Sequence, residues 1–312
     1  MTTGRLTYPH RRRGLDHDWF AFEPTHQRPP VSWPDGKRVA LWITVPVELF
    51  PLDTPAQPFR PLGAPTLAYP DLWNGSSRDY GLRVGIYRIM RVLDDLRLRA
   101  TAAVNSEVAE KYPRIIDEIA RRDWEFVANG VDMGHVHHSG LDRDAECELI
   151  KRARATLTQA SGRPVSGWHS PGRSHSPNTL TLLAEQGFSY VTDWANDDMP
   201  YRVTTPAGRL CAMPLAYELS DRHLLVHHNL TVDDYVEQNL RAFDRLTLES
   251  DHYDSGRVLS LSVTPWILGY PHRIAALRRL LGHVLEDASV WCATGIEIAA
   301  AFTAPTTAGN AG

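Results

Sequence analysis

The stretch 124–140 holds the densest group of side chains in this sequence that could do chemistry. It reads WEFVANGVDMGHVHHSG, an apolar run that ends in Asn, Asp and His residues. On an extended segment two imidazoles in a His-x-His arrangement lie on one face, which is a geometry that zinc can use. The ligands of such a site would be His135, His137 and His138 with Glu48 or Asp132. The alternative is a loop that covers a pocket and leaves its imidazoles solvated.

Further polar and ionisable side chains follow the other apolar runs of the chain. Because the carboxyl ends of parallel strands meet on one face of an α/β barrel, we expect these residues to surround a common site. They are Glu48; Asn105 and Glu107; Asn129 and Asp132; Trp168, His169 and Arg173; Asp193, Asp197 and Asp198; and Thr264, Trp266 and His272.

The elements that must position these residues alternate between strand and helix. Apolar runs predict strands at 38–48, 99–107, 124–130, 165–169, 188–194, 209–215, 223–228 and 257–266. Helical spacing predicts helices at 83–98, 108–121, 142–160, 177–187, 232–250 and 272–285, and a short strand and a helix close the chain. This alternation favours parallel strands with helices outside them.

The organisation of the chain indicates one domain. No internal repeat or linker divides it, so we predict a single α/β barrel over residues 37–303. Residues 1–36, rich in Pro, Arg and aromatic side chains, are predicted to form an arm, and 304–312 a flexible tail. Residues 49–80 lack periodicity and predict a long loop.

Composition excludes several classes of function. The net charge of −4 and the pI near 6.4 give no basic face for nucleic acid. No stretch approaches the roughly 18 apolar residues of a membrane span, and the first residues lack the apolar core of a signal peptide, so we expect a cytoplasmic protein. The three cysteines form no CxxC pattern, which argues against a disulfide framework and against a zinc-thiolate site.

Four segments resemble the polysaccharide deacetylase superfamily, in its allantoinase-like and cyclic-imidase-like branch. They are RDYGLRVGIYRIM (78–90), TAAVNSEVAEKYP (101–113), PNTLTLLAEQGFSYVTDWANDDMPY (177–201) and TPWILGYPHRI (264–274). The resemblance implies the distorted seven-stranded (β/α) barrel of the NodB-homology fold. It also implies hydrolysis of a carbon–nitrogen bond other than a peptide bond, in a small amide, ureide or cyclic imide.

The chain departs from this superfamily where metal-dependent members place their ligands. The corresponding positions hold Val47 and Glu48 in place of an Asp-Asp pair, Asn129 and Met133 in place of two histidines, and Thr264 in place of another. We therefore expect no cofactor and no metal held by the family's ligands. A divalent metal such as zinc at a relocated histidine site is the alternative.

The residues then divide into expected roles. For the base that activates water, Glu48 is the first choice and Asp193 the second, while Asn129 or His169 would donate to the carbonyl oxygen. The residues expected to bind substrate are Asn105, Asp132, His137, Trp168, Arg173, Asp198 and Trp266. The expected partners are a small-molecule substrate and further copies of this chain, which the aromatic arm would contact. A member that binds a ligand without hydrolysing it is the alternative function.

Overall fold

The computed structural model describes residue 17 and residues 19–52 and 72–304. Nine strands form one sheet in these residues: β1 (Val39–Val47), β2 (Thr101–Val104), β3 (Glu125–Ala128), β4 (Gly167–Trp168), β5 (Tyr190–Val191), β6 (Tyr201–Thr205), β7 (Gly208–Ala212), β8 (Arg257–Ser262) and β9 (Val290–Ala293).

Strand β1 is the centre of the sheet. Every residue of β1 is buried, as its unbroken apolar run predicts for a strand covered on both faces. On one side it pairs with β8 over residues 39–44. On the other side, its first half pairs with β9 and its second half with β2. All three partners run parallel to β1, and β2, whose last residue Val104 pairs with Val47, ends beside Glu48.

The sheet curls into a half-barrel. Its strand order is β6-β7-β5-β4-β3-β2-β1-β8, and every pairing is parallel except the β6–β7 hairpin. The path does not close through a ladder between its end strands, although Ser260 of β8 accepts a hydrogen bond from Ala216 N, just beyond β7 (2.8 Å). The predicted α/β barrel architecture is confirmed, as an open curled sheet.

Ten helices accompany the strands. They are α1 (Leu72–Tyr80), α2 (Ile86–Asp95), α3 (Ser106–Lys111), α4 (Pro113–Arg121), α5 (Arg143–Ser161), α6 (Thr179–Glu185), α7 (Val232–Tyr253), α8 (Pro265–Leu268), α9 (Ile274–Val284) and α10 (Gly295–Thr303). Asp142 caps α5 through the Asp144 and Ala145 amides, as its position before the helix predicts. No helix within the described ranges has the length and apolar character needed to cross a membrane.

Two predicted elements differ from the structure, and one observed strand was not predicted. The predicted loop 49–80 already contains α1, which continues through a π-helical turn (Gly81–Gly85) into α2, while residues 53–71 lie outside the described ranges. The predicted strand 223–228 is not formed, because residues 223–227 belong to a second π-helical turn, Arg222–His227. A short apolar run such as LLV fits either structure, so its pattern could not decide between them. Strand β6 was not anticipated.

The described part of the arm lies against the barrel. Trp19 and Phe20 contact the ring of Trp194, with centroids 5.7 and 5.4 Å apart. Trp33 is 3% exposed and donates to the carbonyl of Arg257 (2.9 Å). The arm is therefore anchored by aromatic side chains.

Candidate active site

A small cavity lies at the carboxyl ends of the central strands. Its volume is about 50 Å³, which is room for a small polar group or for a few water molecules. The side chains and backbone that line it come from β1, β2 and β8 and from the loops after β4 and β7. They are Thr44, Pro46, Glu48, Ala103, His169, Gly172, Arg173, Leu215, Tyr217, Ser220, Arg222, Ser262 and Thr264.

Glu48 follows β1 and is 6% exposed. Its Oε2 atom forms an ion pair with Arg222 and accepts from the Trp266 indole N–H (3.1 Å). The Oε1 atom has no hydrogen-bond partner among the described residues. The carboxylate is therefore oriented through one oxygen, and the other can accept a proton from a molecule in the cavity.

His169 presents a neutral imidazole to the same cavity. Its Nδ1 lies 2.7 Å from Thr192 Oγ1 and 3.5 Å from Asp193 Oδ1, and the Thr192 hydroxyl donates to the Trp168 carbonyl (3.3 Å). Both neighbours favour a proton on Nδ1, which leaves the Nε2 lone pair free. Burial lowers the pKa of His169 to about 4. In this tautomer Nε2 accepts a hydrogen bond, and the role of His169 as a donor to the carbonyl stays a prediction.

Asp193 is buried behind His169 and does not line the cavity. Its oxygens accept from the Ser170 amide (2.6 Å) and from His175 Nε2 (2.5 Å). Burial would raise the pKa of Asp193, but His175, His169 and the Ser170 amide together lower it. A carboxylate with these partners holds the β4 loop in place. The structure therefore gives Asp193 a positioning role and does not support it as the base.

Two arginines bring positive charge to the cavity. Arg222 pairs with Glu48, and its guanidinium lies 5.3 Å from the Trp266 ring. Arg173 lies over the Tyr217 ring at 5.1 Å. Burial lowers the pKa of Arg173 to about 10, which still leaves the side chain charged at neutral pH.

Asp221 fixes the segment that carries Arg222. It is fully buried, and its carboxyl accepts from the Thr264 amide (2.6 Å) and from the Thr264 hydroxyl (2.8 Å). Burial raises the pKa of Asp221 to about 7. Because Thr264 also lines the cavity, this contact joins the Arg222 segment to the end of β8.

The two predicted asparagines are buried beside the site. Asn105 accepts from Leu49 N (2.8 Å) and donates to the Asn129 carbonyl, so it fixes the backbone that follows β1 and β3. The Asn129 side chain has no hydrogen-bond partner among the described residues, and it does not line the cavity. A role for Asn129 as a donor to the carbonyl therefore stays a prediction.

The histidines after β3 do not converge. His135 contacts Asp132 (2.8 Å), which also accepts the Gly134 amide, whereas buried His137 contacts Glu146 (2.9 Å). The ring of His138 accepts from the Gly140 amide (3.1 Å). Across residues 19–52 and 72–304, no group of three or more His, Cys, Asp or Glu side chains could hold a metal. The zinc site suggested by the sequence is not formed, and Asp132 and His137 stabilise the loop.

The remaining residues predicted to bind substrate, Trp266, Trp168 and Asp198, do not all lie at the cavity. Trp266 lies beside the cavity and orients Glu48, as described above. Trp168 is fully buried, packs on Phe188, and donates to Ser170 Oγ (2.8 Å), so it is a core residue and not a pocket wall. Asp198 is exposed in the loop before β6 and does not line the cavity. Its neighbour Asp197 pairs with Arg28 of the arm (2.6 Å).

The positions of the family's metal ligands do not suit a metal here. Val47 and Met133 are buried apolar side chains, and Thr264 is bound to Asp221. Only Glu48 retains a charged oxygen at these positions, and a single carboxylate does not provide the three or four ligands of a catalytic zinc site. The residues present therefore do not fit the metal of the metal-dependent members.

Sequence reasoning missed several residues of this site, among them Arg222, His175 and Tyr217. His175 could have been found, because it follows Arg173 closely in the motif HSPGRSH. Arg222 and Tyr217 gave no signal, since they lie in irregular segments that the chain brings to the cavity only in the folded state.

Comparisons with known proteins agree with this architecture. Residues 77–191 match the family model for polysaccharide deacetylase. A relative from Schizosaccharomyces pombe, described as a "Putative polysaccharide deacetylase", is 25% identical over 246 residues, which cover 72% of this chain and 75% of the relative.

Solved structures show the same fold. A protein of that description from Mycobacterium smegmatis superimposes with a TM-score of 0.73 at 27% identity, covering 88% of this chain and 93% of the other. The Puue allantoinase superimposes with a TM-score of 0.79 at 24% identity, covering 95% and 97%. Together with the curled half-barrel and the site at its strand ends, these matches show that the chain is similar in sequence and in fold to the polysaccharide deacetylase superfamily, whose members are usually hydrolases of carbon–nitrogen bonds.

Proposed function

We propose that this protein hydrolyses a carbon–nitrogen bond of a small amide, ureide or cyclic imide without a metal. The observation that carries the proposal is the pair of proton acceptors at one cavity, Glu48 Oε1 and His169 Nε2. Both are held in place by hydrogen bonds on their far sides, to Arg222 and Trp266 and to Thr192. Held in this way, an acceptor does not have to reorganise when it takes a proton.

The reaction follows from these positions. Glu48 Oε1 takes a proton from a water molecule while the water oxygen forms a bond to the substrate carbonyl carbon. The carbonyl oxygen gains negative charge, which Arg222 and the Thr44 hydroxyl can stabilise from the cavity wall. Glu48 then returns its proton to the leaving nitrogen as the carbon–nitrogen bond breaks. His169 Nε2 orients the attacking water by accepting its second proton in a hydrogen bond.

The cavity that holds the two acceptors is small, while a second cleft of about 780 Å³ is also lined by Glu48. A volume of about 50 Å³ around the two acceptors accommodates the reacting group of a compact molecule. The fold shared with the Puue allantoinase supports a ureide or a related ring as the type of substrate.

The test is a substrate panel assayed with and without a chelator. Purified protein is incubated with allantoin, hydantoins, succinimide-type rings and N-acetyl sugars. We expect turnover of at least one small amide or ring, at a rate that a chelator does not change. Turnover that requires added zinc would contradict the metal-independent mechanism. If no compound is hydrolysed, the hydrolase proposal fails in favour of the ligand-binding alternative.

A further inference from the structure

Arg173 is a partly buried cation at the cavity wall. Its Nη1 atom is inaccessible to solvent and has no hydrogen-bond partner in the described part of the chain. The described contact of its guanidinium is with the face of Tyr217. A guanidinium carries five N–H donors, and burying one of them unpaired costs about 1–3 kcal/mol. Such a cost points to a ligand that supplies the missing acceptor.

The charges around the cavity leave Arg173 without a partner. Arg222 is neutralised by Glu48, and neutral His169 adds no charge. Asp193 is the acid whose field acts most on Arg173, but its oxygens are bound by Ser170 N and His175. One positive charge at the cavity is therefore not compensated by an ion pair.

The backbone that presents Arg173 is also unusual. Gly172 and Arg173 both have left-handed conformations, with φ of 63° and 57°. Glycine adopts this conformation readily, whereas for arginine it costs of the order of 1 kcal/mol or more. The Arg173 amide donates to the Ser170 carbonyl (2.8 Å), which holds this turn closed. The chain thus maintains a strained turn that directs a cation at the cavity.

We propose that Arg173 is the receptor for a carboxylate carried by the substrate, so that the enzyme acts on monoanionic amides or ureides. This inference rests on the proposed hydrolytic function. The carboxyl group that ring opening creates would form beside Glu48. Arg173 lines the same cavity as Glu48. Because Arg222 is already paired with Glu48, Arg173 is the cation that remains for a second carboxylate, one present before the reaction.

The test compares matched probes that differ by one carboxylate. Hydantoin and hydantoin-5-acetate, and succinamide and succinamate, are titrated calorimetrically against the wild-type protein and against Arg173→Gln and Arg173→Lys. The control is Arg209→Gln, which changes an exposed arginine on β7. Thermal unfolding of each variant verifies that it is folded. Since binding is measured directly, the result does not depend on turnover.

We expect the wild type to bind each anionic probe at least tenfold more tightly than its neutral partner. Arg173→Gln should weaken binding of the anionic probes roughly 10- to 100-fold and change binding of the neutral probes little. Arg173→Lys, which keeps the charge but loses the planar donors, should lie between. Because burial lowers the pKa of Arg173 to about 10, the preference for anionic probes should fall as the pH rises through that value.

Two results would contradict the proposal that Arg173 binds a substrate carboxylate. One is equal wild-type affinity for the anionic and neutral probes. The other is an equal loss of both affinities in Arg173→Gln with the fold intact, since a structural role would affect both. Hydrolysis of neutral rings with no preference for a carboxylate would contradict the proposed role of Arg173 and support the proposed hydrolytic function. Carboxylate binding that depends on Arg173, without hydrolysis of any amide, would contradict the hydrolytic function and support the proposed role of Arg173.

Discussion

At the scale of single residues, the contacts behind the cavity decide what each side chain can do. Thr192 and Asp193 favour the Nδ1 proton of His169, so Nε2 remains an acceptor. Sequence reasoning identified His169 and Glu48 because each is the last residue of a predicted strand. It assigned Asp193 as a possible base and His169 as a donor. The sequence pattern does not distinguish a carboxylate that lies behind an imidazole from one that faces a cavity.

The protonation of His169 gives a pH-dependent stability. Its folded-state pKa is about 4, below the ordinary value of 6.5, so the unfolded chain binds more protons between these values. Stability attributable to His169 is therefore present above pH 6.5 and lost as the pH falls through about 4, by up to about 3 kcal/mol. Urea unfolding of the wild type and of His169→Gln at pH 4 to 7.5 measures this. A difference between the two proteins that does not change over this range would contradict the buried neutral imidazole.

At the scale of elements, the segment between β7 and α7 completes the site. It supplies Tyr217, Ser220 and Arg222, and it is joined to β8 through Asp221 and Thr264. The strands that carry Glu48 and His169 could be predicted from apolar runs. This segment could not, because its π-helical turn has no strand period and its contacts join residues far apart in the sequence.

Asp221 should make this junction sensitive to pH in the opposite direction from His169. Its folded-state pKa of about 7 is above the ordinary value of 3.8, so the folded chain binds the extra proton. Its contribution to stability is present below pH 3.8 and lost as the pH rises through about 7. Asp221→Asn can accept from the Thr264 amide through Oδ1 and donate to the Thr264 hydroxyl through Nδ2, so we expect it to fold and to lose this dependence of stability on pH.

Unfolding free energies of the wild type and Asp221→Asn between pH 4 and 8 provide the measurement. Glu125, whose pKa burial raises to about 7, contributes the same slope in both proteins and cancels. Asp221→Ala is the disruptive comparison, since it leaves the buried Thr264 amide unpaired and should cost about 1–3 kcal/mol. Equal slopes in the wild type and Asp221→Asn would show that Asp221 is not protonated in this range.

At the scale of the whole molecule, the described part of the arm packs against the barrel. The β1 run and the βα alternation predicted the parallel sheet. In the structure Trp19 and Phe20 contact Trp194 and Trp33 is 3% exposed, whereas Phe22 is 83% exposed. Composition can indicate that an arm has something to bury, but only the tertiary contacts select which rings are buried.

Trp33 should be the main anchor of the arm. It is buried against Trp291, with ring centroids 5.7 Å apart, and its N–H binds the Arg257 carbonyl. We expect Trp33→Ala to lower the free energy of unfolding by about 3–5 kcal/mol. The control Phe22→Ala should change it by less than about 0.5 kcal/mol. Chemical denaturation measures both, and equal small effects would show that the arm is not anchored here.

The central claim is that Glu48 is the base of a carbon–nitrogen hydrolase. The measurement is the turnover rate of Glu48→Gln, relative to the wild type, on a ring or amide that the substrate panel identifies. Glutamine keeps the shape of the side chain but cannot accept the proton of water, so the rate should fall about 10²- to 10⁴-fold while the folded state is retained. A folded Glu48→Gln variant that keeps more than about a tenth of wild-type turnover would contradict the account.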